Sequence, residues 1–225
     1  MDLRGLHLEL YLIRHATPVR KLNYWSSPTT PLSELGLNQA EKIAQFLKNQ
    51  KFNSIITSPY KRTTQTANII TKYNKSTSLQ VESWLSEIDI GEWTGRYKND
   101  IKSQIPETLK LLLEEGYDER GPLVANLMMI DRNFAFPKGE SLQEFWSRVI
   151  KGLSQTLEQF KGKLNQKLCF IGHGGSFTVI VLSLLDKSFS DQIFPLFMFA
   201  KANYTLIRMR KGKVQFQCMN PILQV

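Results

Sequence analysis

Three short segments carry arginine and histidine residues at the points where strand-like runs end. Arg14 and His15 follow one apolar run, Arg62 lies a few residues beyond a second run, and His173 follows a third. An arginine presents a planar fork of N–H donors that matches phosphate oxygens, so two arginines can hold a phosphate dianion. A neutral imidazole nitrogen can attack phosphorus, and a protonated imidazole can donate to phosphate oxygens. These residue types therefore indicate chemistry on a phosphate ester.

The glycines that follow His173 support the same chemistry. Gly174 and Gly175 lie where the pattern predicts the start of a helix. Glycine lets the backbone approach a bound group closely, and the N-terminus of a helix favours an anion. We therefore include Gly174 among the candidate substrate-binding residues. The remaining histidine, His7, lies inside a strand pattern, and we interpret it as structural.

The hydrophobic pattern alternates between strands and helices along most of the chain. It predicts strands at residues 6–13, 54–57, 79–81, 167–171, 204–209 and 214–218. Helices are predicted at about 33–47, 59–73, 140–160 and 175–185, the first with Ser33 as its N-cap. The alternation predicts an α/β fold, a three-layer sandwich with a mainly parallel sheet and helices on both faces. In such sheets ligands bind beyond the carboxyl ends of the strands, where the three segments lie.

The segment at about residues 97–135 departs from this alternation. It holds a helical stretch around residues 109–115, followed by Gly116, Gly121 and Pro122. We interpret residues 1–225 as a single domain in which this segment is an insertion that covers the site. An insertion in that place would contribute to the choice of substrate.

The composition is that of an ordinary globular protein with an excess of positive charge. The 29 Lys and Arg residues exceed the 20 Asp and Glu residues, which gives a formal charge of +9. An anionic partner suits this excess, and charge alone leaves nucleic acid, a phosphorylated small molecule and general solubility open. We expect no nucleic-acid partner, because the lysines are scattered and no recognition motif appears.

The sequence also bears on the compartment. No apolar stretch reaches the length of a membrane helix, and the N-terminus lacks the pattern of a secretory signal. Cys169 and Cys218 lie in apolar strand-like segments, so we expect buried free thiols. Such cysteines fit a reducing environment, and we expect a cytoplasmic protein with no membrane partner.

The order and spacing of these segments resemble the histidine phosphatase superfamily, whose members include cofactor-dependent phosphoglycerate mutases and α-ribazole phosphatases. The resemblance covers nearly the whole chain and rests on short motifs that follow one another in the family's order. The motifs are Leu12-Ile13-Arg14-His15-Ala16; Pro31-Leu32 with Gly36, Gln39 and Ala40; Ser58-Pro59-Tyr60-Lys61-Arg62 with Gln65-Thr66-Ala67; Leu85-Ser86-Glu87-Ile88 with Gly91, Trp93 and Gly95; Pro137 and Gly139-Glu140-Ser141 with Arg148; and Gly172-His173-Gly174-Gly175. Several spaced matches are far more specific than any single tetrapeptide.

Carried over residue by residue, the resemblance implies that His15 is the nucleophile and that Arg14, Arg62 and His173 form the phosphate pocket. Glu87 would donate a proton to the leaving oxygen and then accept one from the attacking water. The family mechanism requires no metal and no cofactor, and no Cys/His cluster with the spacing of metal ligands appears. Phosphate or sulfate should bind between the two arginines and His173.

The residues themselves leave the identity of the acid open. Asp89 and Glu92 lie close to Glu87 in the sequence and compete for the role. Glu87 is flanked by Leu85 and Ile88, which favours Glu87 for the role of the acid. We interpret Glu92 as a solvated loop residue.

Two residues and one loop depart from the family pattern. Ala16 stands where the common motif has glycine, and Thr94 stands where glutamate is frequent. The loop at residues 17–30 does not match the longer loop of the mutases. Within it, Thr17 and Asn23 are candidates for binding substrate.

We therefore expect a metal-independent phosphomonoesterase that hydrolyses small phosphorylated metabolites through a phosphohistidine intermediate. One alternative is phosphoglycerate mutase-type phosphoryl transfer, against which the loop at 17–30 and the lack of an extended tail argue. Another is a catalytically silent module that binds a phosphorylated ligand. The presence of the histidine pair together with Glu87 argues against that module, since a binder has little need of a nucleophile and an acid. The leaving group and the oligomeric state, monomer or homodimer, stay open.

Overall fold

The computed structural model describes residues 2–21, 24, 26–75, 77–96, 133, 135–186 and 199–219 of the 225-residue chain. Asn23 lies outside the described residues. So does the segment at about 97–135, apart from residues 133 and 135. The single domain and its site-covering insertion therefore stay predictions.

Within the described ranges, six strands form one mixed sheet in the order β3-β2-β4-β1-β5-β6. The strands are β1 (His7–Arg14), β2 (Ser54–Thr57), β3 (Leu79–Val81), β4 (Gln166–Gly172), β5 (Tyr204–Arg210) and β6 (Lys213–Met219). The first four are parallel, and β5 and β6 form an antiparallel hairpin alongside β1. Strand β1 is central and covered on both faces, which explains its continuous apolar run.

Four α-helices of the described chain cover the two faces of the sheet. They are α1 (Glu34–Phe46), α2 (Lys61–Tyr73), α3 (Leu142–Glu158) and α4 (Gly174–Leu184). Helices α1 and α2 pack on the face that carries Tyr11 and Ile13, whereas α3 and α4 pack on the face that carries Leu10 and Leu12. Alternate residues of β1 thus enter two separate cores, as the period of a strand requires.

Local sequence signals explain where two of the helices begin. The Ser33 side chain accepts a hydrogen bond from Gly36 N at 3.1 Å and caps α1, as predicted. Ser141 and Glu144 form a reciprocal capping box at the start of α3. Two short 3₁₀ turns, Ser83–Leu85 and Gly91–Trp93, were not predicted, because three-residue turns leave no periodic signal.

The predicted fold class is confirmed, with helices on both faces of a sheet whose first four strands are parallel. Cys169 is a buried free thiol, as expected, whereas the side chain of Cys218 is outside the described part of the structure. None of the described helices combines the length and the hydropathy that crossing a membrane requires.

Candidate active site

The carboxyl ends of β1, β2 and β4 meet at one edge of the sheet. In the parallel register Arg14 pairs with Gly172, and Thr57 pairs with Ile171. The ladder continues one residue further, because His15 N donates to Gly172 O at 3.0 Å and Ser58 N donates to Ile171 O at 3.2 Å. The three segments singled out in the sequence therefore leave the sheet side by side.

His15 is held in one tautomer by its two ring contacts. Its Nδ1 lies 2.8 Å from Ala16 O, and a carbonyl oxygen can only accept, so Nδ1 carries the proton. Its Nε2 lies 3.2 Å from Arg62 Nε, which can only donate. The lone pair is thus on Nε2. Burial, then the positive charge of Arg62, with smaller effects of Arg14 and Lys201, lowers the pKa of His15 to about 3 against the hydrogen bond to Ala16 O.

Thr66 on α2 fixes the backbone that follows His15. Its Oγ1 accepts from Ala16 N at 3.2 Å and donates to Arg62 O at 2.8 Å. One threonine thus ties the end of β1 to the first turn of α2, which carries Arg62. This contact gives a physical role to the Gln-Thr-Ala run of the sequence motif.

His173 is fully buried beside His15, with 5.2 Å between the ring centroids. Arg62 Nη2 donates to His173 Nδ1 at 3.4 Å, so the proton of His173 is on Nε2, which donates to Ser58 Oγ at 2.8 Å. Burial, then the charges around it, of which Arg62 is the largest, lowers the pKa of His173 well below its usual value. Protonation of His173 would therefore require an anion beside it.

Arg62 is the central group of this cluster and is only 6% exposed. Besides the bonds to the two histidines, its Nη1 donates to Ser27 O at 3.0 Å. Its guanidinium also lies over the ring of Tyr60, whose centroid is 4.8 Å from Arg62 Cζ. The Tyr60 ring in turn lies 4.9 Å from that of His173. Tyr60 and Ser58 thus support the pocket, a role that the sequence did not predict for either residue.

Arg14 enters the site from the end of β1. Its Nη1 donates to Phe199 O at 2.6 Å, while its buried Nε has no hydrogen-bond partner in the described structure. A buried N–H without a partner is costly, and it is a donor that a ligand oxygen could satisfy. Gly174 lies alongside, since a Cβ built there would be 3.5 Å from Arg14 Cζ.

Glu87, on the loop after β3, lies at the N-terminus of α4, next to Gly175. Its Oε2 accepts from Gly175 N at 3.1 Å, at the N-terminus of α4, and its Oε1 accepts from Ile88 N at 3.2 Å. A Cβ built at Gly175 would lie 2.1 Å from Glu87 Oε1, so a larger residue there would displace the carboxyl group. Burial lowers the pKa values of Arg14 and Arg62, and the charge of Glu87 opposes that shift.

The loop that carries Glu87 is held by Arg148 on α3. The guanidinium donates to four loop carbonyl oxygens, those of Ser83 (3.1 Å), Trp84 (2.8 Å), Ser86 (3.4 Å) and Glu87 (3.3 Å). Arg148 also pairs with Glu140, with Nη2 to Oε1 at 2.5 Å and Nε to Oε2 at 3.1 Å. Glu140 Oε1 in turn accepts from Asp89 N at 2.8 Å. The partly buried guanidinium of Arg148 thus fixes the shape of an otherwise irregular loop.

The two acids that compete with Glu87 in the sequence have other partners. Glu92 pairs with Lys138 at 2.7 Å, and its side chain is 46% exposed. Asp89 Oδ1 accepts from Gly91 N at 2.8 Å, which closes a turn. Of the three carboxyl groups, the structure brings Glu87 next to the start of α4.

The remaining residues considered in the sequence have the following places in the structure. Thr17 follows Ala16; its N donates to Gln39 Oε1 at 3.1 Å and its O accepts from Ser33, so its backbone anchors α1. The role of Thr17 in binding substrate stays a prediction, and Asn23 lies outside the described residues. His7 is in the first position of β1, where its Nδ1 accepts from Asn165 N at 3.0 Å, in line with a structural role. Lys201 was not singled out from the sequence, yet its charge acts on His15.

No group of three or more His, Cys, Asp and Glu side chains that could hold a metal ion occurs in the part of the chain described. The clustered side chains offer N–H donors and two imidazole nitrogens that carry a lone pair, His15 Nε2 and His173 Nδ1. Such a set suits an oxyanion with a nearby electrophilic centre.

The chain is similar to known proteins in sequence and in fold. Residues 10–221 match the family model of the Histidine phosphatase superfamily (branch 1). The chain is 29% identical over 210 residues to Phosphoserine phosphatase 1 of Hydrogenobacter thermophilus, covering 92% of this chain and 89% of that protein. It is also 29% identical over 182 residues to a Yersinia pestis protein named "Probable phosphoglycerate mutase GpmB", covering 79% and 75% of the two chains. The fold is similar to that of the α-ribazole phosphatase from Shigella flexneri, with a TM-score of 0.73, 20% identity, and 94% and 96% of the two chains covered.

Proposed function

The chain belongs to the histidine phosphatase superfamily, branch 1, and from this premise we propose that it hydrolyses small phosphorylated metabolites by way of a phosphohistidine at His15 Nε2. The observation that carries the proposal is the position of Arg62, which donates to His15 Nε2 at 3.2 Å and to His173 Nδ1 at 3.4 Å. One guanidinium thus lies between a neutral, nucleophilic nitrogen and a second phosphate-binding group.

In the first step, the Nε2 lone pair of His15 forms a bond to phosphorus while the bond from phosphorus to the leaving oxygen breaks. Arg14, Arg62 and His173 surround the equatorial oxygens and stabilise their charge in the transition state. The unpartnered Arg14 Nε supplies a donor that needs no prior bond to be broken. Glu87, protonated at this stage, gives its proton to the departing alkoxide.

In the second step, a water molecule attacks the phosphohistidine. Glu87, now ionised, takes a proton from that water as the new oxygen–phosphorus bond forms and the nitrogen–phosphorus bond breaks. The electron pair returns to His15 Nε2, inorganic phosphate leaves, and both residues recover their initial protonation states. The proton on Nδ1 stays in its bond to Ala16 O throughout.

The mutase alternative uses the same first step and differs only in the acceptor of the phosphoryl group. The similarity to the Yersinia pestis protein named for mutase activity keeps this alternative in the test. Water as acceptor releases inorganic phosphate, whereas a second alcohol as acceptor yields an isomeric phosphate ester. A product assay therefore separates the two.

The test is hydrolysis of p-nitrophenyl phosphate and of a set of natural phosphomonoesters with EDTA present. The wild type should release inorganic phosphate, and His15→Ala should lose at least about 10³-fold in kcat. Quenching in base should trap phosphorylated wild type that is labile in acid, as a phosphohistidine is. His7→Ala is the matched control, since His7 lies in the first position of β1, outside the site, and should keep full activity.

Four outcomes would contradict the proposal. Absence of wild-type activity on every ester between about pH 5 and pH 8 would favour a silent binding module. Isomerised esters without released phosphate would favour the mutase. Activity that EDTA abolishes, or that survives in His15→Ala, would rule out the metal-independent phosphohistidine route.

A further inference from the structure

A turn at Phe199–Asn203 lies against the end of β1 beside the phosphate pocket. Phe199 O accepts from Arg14 Nη1, and Ala202 N donates to Arg14 O at 3.0 Å. Arg14 N in turn donates to Asn203 O at 3.2 Å. Lys201 is therefore attached to backbone that is hydrogen-bonded to Arg14 on both sides of it.

The packing of Ala202 fixes the turn on the same side as the nucleophile. Ala202 is 3% exposed and shares a small apolar cluster with Ala16 and Leu32. Ala16 is the residue directly after His15, so the turn cannot move away without opening that cluster. The backbone that carries Lys201 therefore has a defined position next to Arg14.

Arg20 is a second cation near this turn, because its charge acts on Lys201. Its segment leaves His15 and pairs with residues 31–32, through the bridge from Pro18 to Leu32 and the bond from Val19 N to Pro31 O at 2.8 Å. Arg20 is exposed, and it is close enough that its charge acts on both Arg14 and Lys201. Arg20 and Lys201 are therefore two cations that lie close to Arg14.

Lys201 is half-buried, and no carboxylate of the described residues pairs with it. Burial, then the charges of Arg20 and Arg14, lowers the pKa of Lys201 to about 8. A half-buried cation among other cations costs free energy, and that cost is recovered when an anion binds. Lys201 is thus a group that the fold holds ready for a negative partner.

The charges of the site indicate how much negative charge a substrate should bring. Arg148 also acts on His173, but its charge is paired with that of Glu140. Four other cations act on His15, on Arg14 or on one another, namely Arg14, Arg20, Arg62 and Lys201. Glu87 is neutral when it acts as the acid. A phosphate dianion compensates two of these four charges. The remaining two charges are those of Arg20 and Lys201, close to Arg14. An additional anionic group on the leaving alcohol would meet them.

We propose that Lys201, assisted by Arg20, forms a second anion-binding subsite that selects phosphomonoesters whose leaving alcohol carries a carboxylate. This inference rests on the proposed phosphatase function and adds its substrate class. The phosphate would lie between Arg14, Arg62 and His173, and the carboxylate would extend toward the turn at Phe199–Asn203. Lys201 is then a specificity-determining residue and takes no part in bond breaking.

The test compares two substrates that differ only in the second anion. 3-Phosphoglycerate carries a carboxylate where glycerol 3-phosphate carries a neutral hydroxymethyl group. Wild type should have the larger kcat/KM for 3-phosphoglycerate, and Lys201→Met should lower that value roughly tenfold while leaving glycerol 3-phosphate within about twofold. Arg20→Met should have a smaller effect of the same kind, because Arg20 is more exposed.

Two controls separate the subsite from general charge. Lys42→Met removes one exposed positive charge from α1 and should change neither substrate. Lys201→Arg keeps the charge and should retain the preference for 3-phosphoglycerate. In wild type, the ratio of the two kcat/KM values should fall as the pH rises through about 8, where Lys201 deprotonates in the free enzyme; in Lys201→Arg it should not fall.

The outcomes distinguish this inference from the function on which it rests. If neither ester nor p-nitrophenyl phosphate is hydrolysed, the proposed function itself fails. If all are hydrolysed and wild type shows no preference for the carboxylate, the subsite is wrong and the phosphatase stands. Equal losses for both substrates in Lys201→Met would also overturn it, because they would indicate a general effect on the phosphate pocket.

Discussion

The two halves of the site are built in different ways. The phosphate side, with His15, Arg62 and His173, is buried. His15 and His173 directly follow strands, where ladder bonds fix the backbone, and Arg62 lies in the first turn of α2. The acid side is Glu87 on an irregular loop, which depends on the Arg148 guanidinium and on Glu140 for its shape. Strand ends and the first turn of α2 therefore position the proposed phosphate-binding groups, whereas side-chain contacts from α3 position the proposed acid.

This difference has a consequence for catalysis and for mutation. Groups fixed by a sheet are preorganised for the transition state and cannot adjust when one of them is removed. A loop held by one guanidinium can be loosened without disturbing the sheet. Changes on the phosphate side should therefore be severe for every substrate, and changes on the acid side should depend on the leaving group.

The largest effect within the pocket should come from Arg62. Arg62→Met removes the donor between the two histidines, and kcat/KM should fall by roughly 10² to 10³-fold for all phosphate esters alike. Inhibition by inorganic phosphate or vanadate should weaken in parallel. Circular dichroism and thermal melting check the fold, and Lys61→Met on the neighbouring residue is the control. A loss confined to alkyl esters would contradict the assignment of Arg62 to the phosphate side.

Glu87→Gln should separate the two steps. For alkyl phosphates, which need an acid, kcat should fall about 10²-fold. For p-nitrophenyl phosphate, whose leaving group needs no proton, a rapid burst of p-nitrophenol should remain and only the following turnover should slow. Stopped-flow absorbance measures both phases. If the rate of the p-nitrophenol burst falls as much as kcat for alkyl phosphates, Glu87 does not act as the acid.

Arg148→Gln should reproduce the Glu87→Gln pattern in a weaker form. The loop would lose its four carbonyl contacts and its ion pair, and kcat for alkyl phosphates should fall roughly tenfold with p-nitrophenol release little changed. Arg208→Gln is the matched control, because Arg208 pairs with Glu9 on β1, in a different ion pair, at 3.0 Å. If both arginine variants lose activity equally, Arg148 acts only through stability.

The smallest effect concerns stability against pH. The pKa of His15 is lowered to about 3 in the fold and should be near 6.5 in the unfolded chain, so the unfolded chain binds more protons between these values. The contribution of His15 to the free energy of unfolding should therefore be complete above about pH 6.5 and should be lost as the pH decreases toward about 3. At about pH 5 the loss from His15 should be about 2 kcal/mol. His15→Asn should lose less stability than wild type between about pH 7.5 and pH 5 in urea titrations, and equal losses would contradict the lowered pKa.

Much of the fold follows from local patterns in the sequence. The apolar run of β1, the cap at Ser33 and the alternation of strands and helices each depend on residues a few positions apart. The candidate residues were also predictable, because strand ends of a parallel sheet converge and because His15, Arg62 and His173 belong to spaced motifs. The partners of those residues were less predictable, since they are supplied by distant parts of the chain.

The sequence by itself determined the layers of the fold, the residue types of the site and the family to which the chain belongs. Only the tertiary structure decided that His15 carries its proton on Nδ1, that Gly175 must be small because Glu87 lies against it, and that Lys201 flanks Arg14. The physical reason is that protonation and charge coupling depend on distances between groups from separate elements. The register of β1 against β4 and the packing of α2 and α3 set those distances, and no local pattern encodes them.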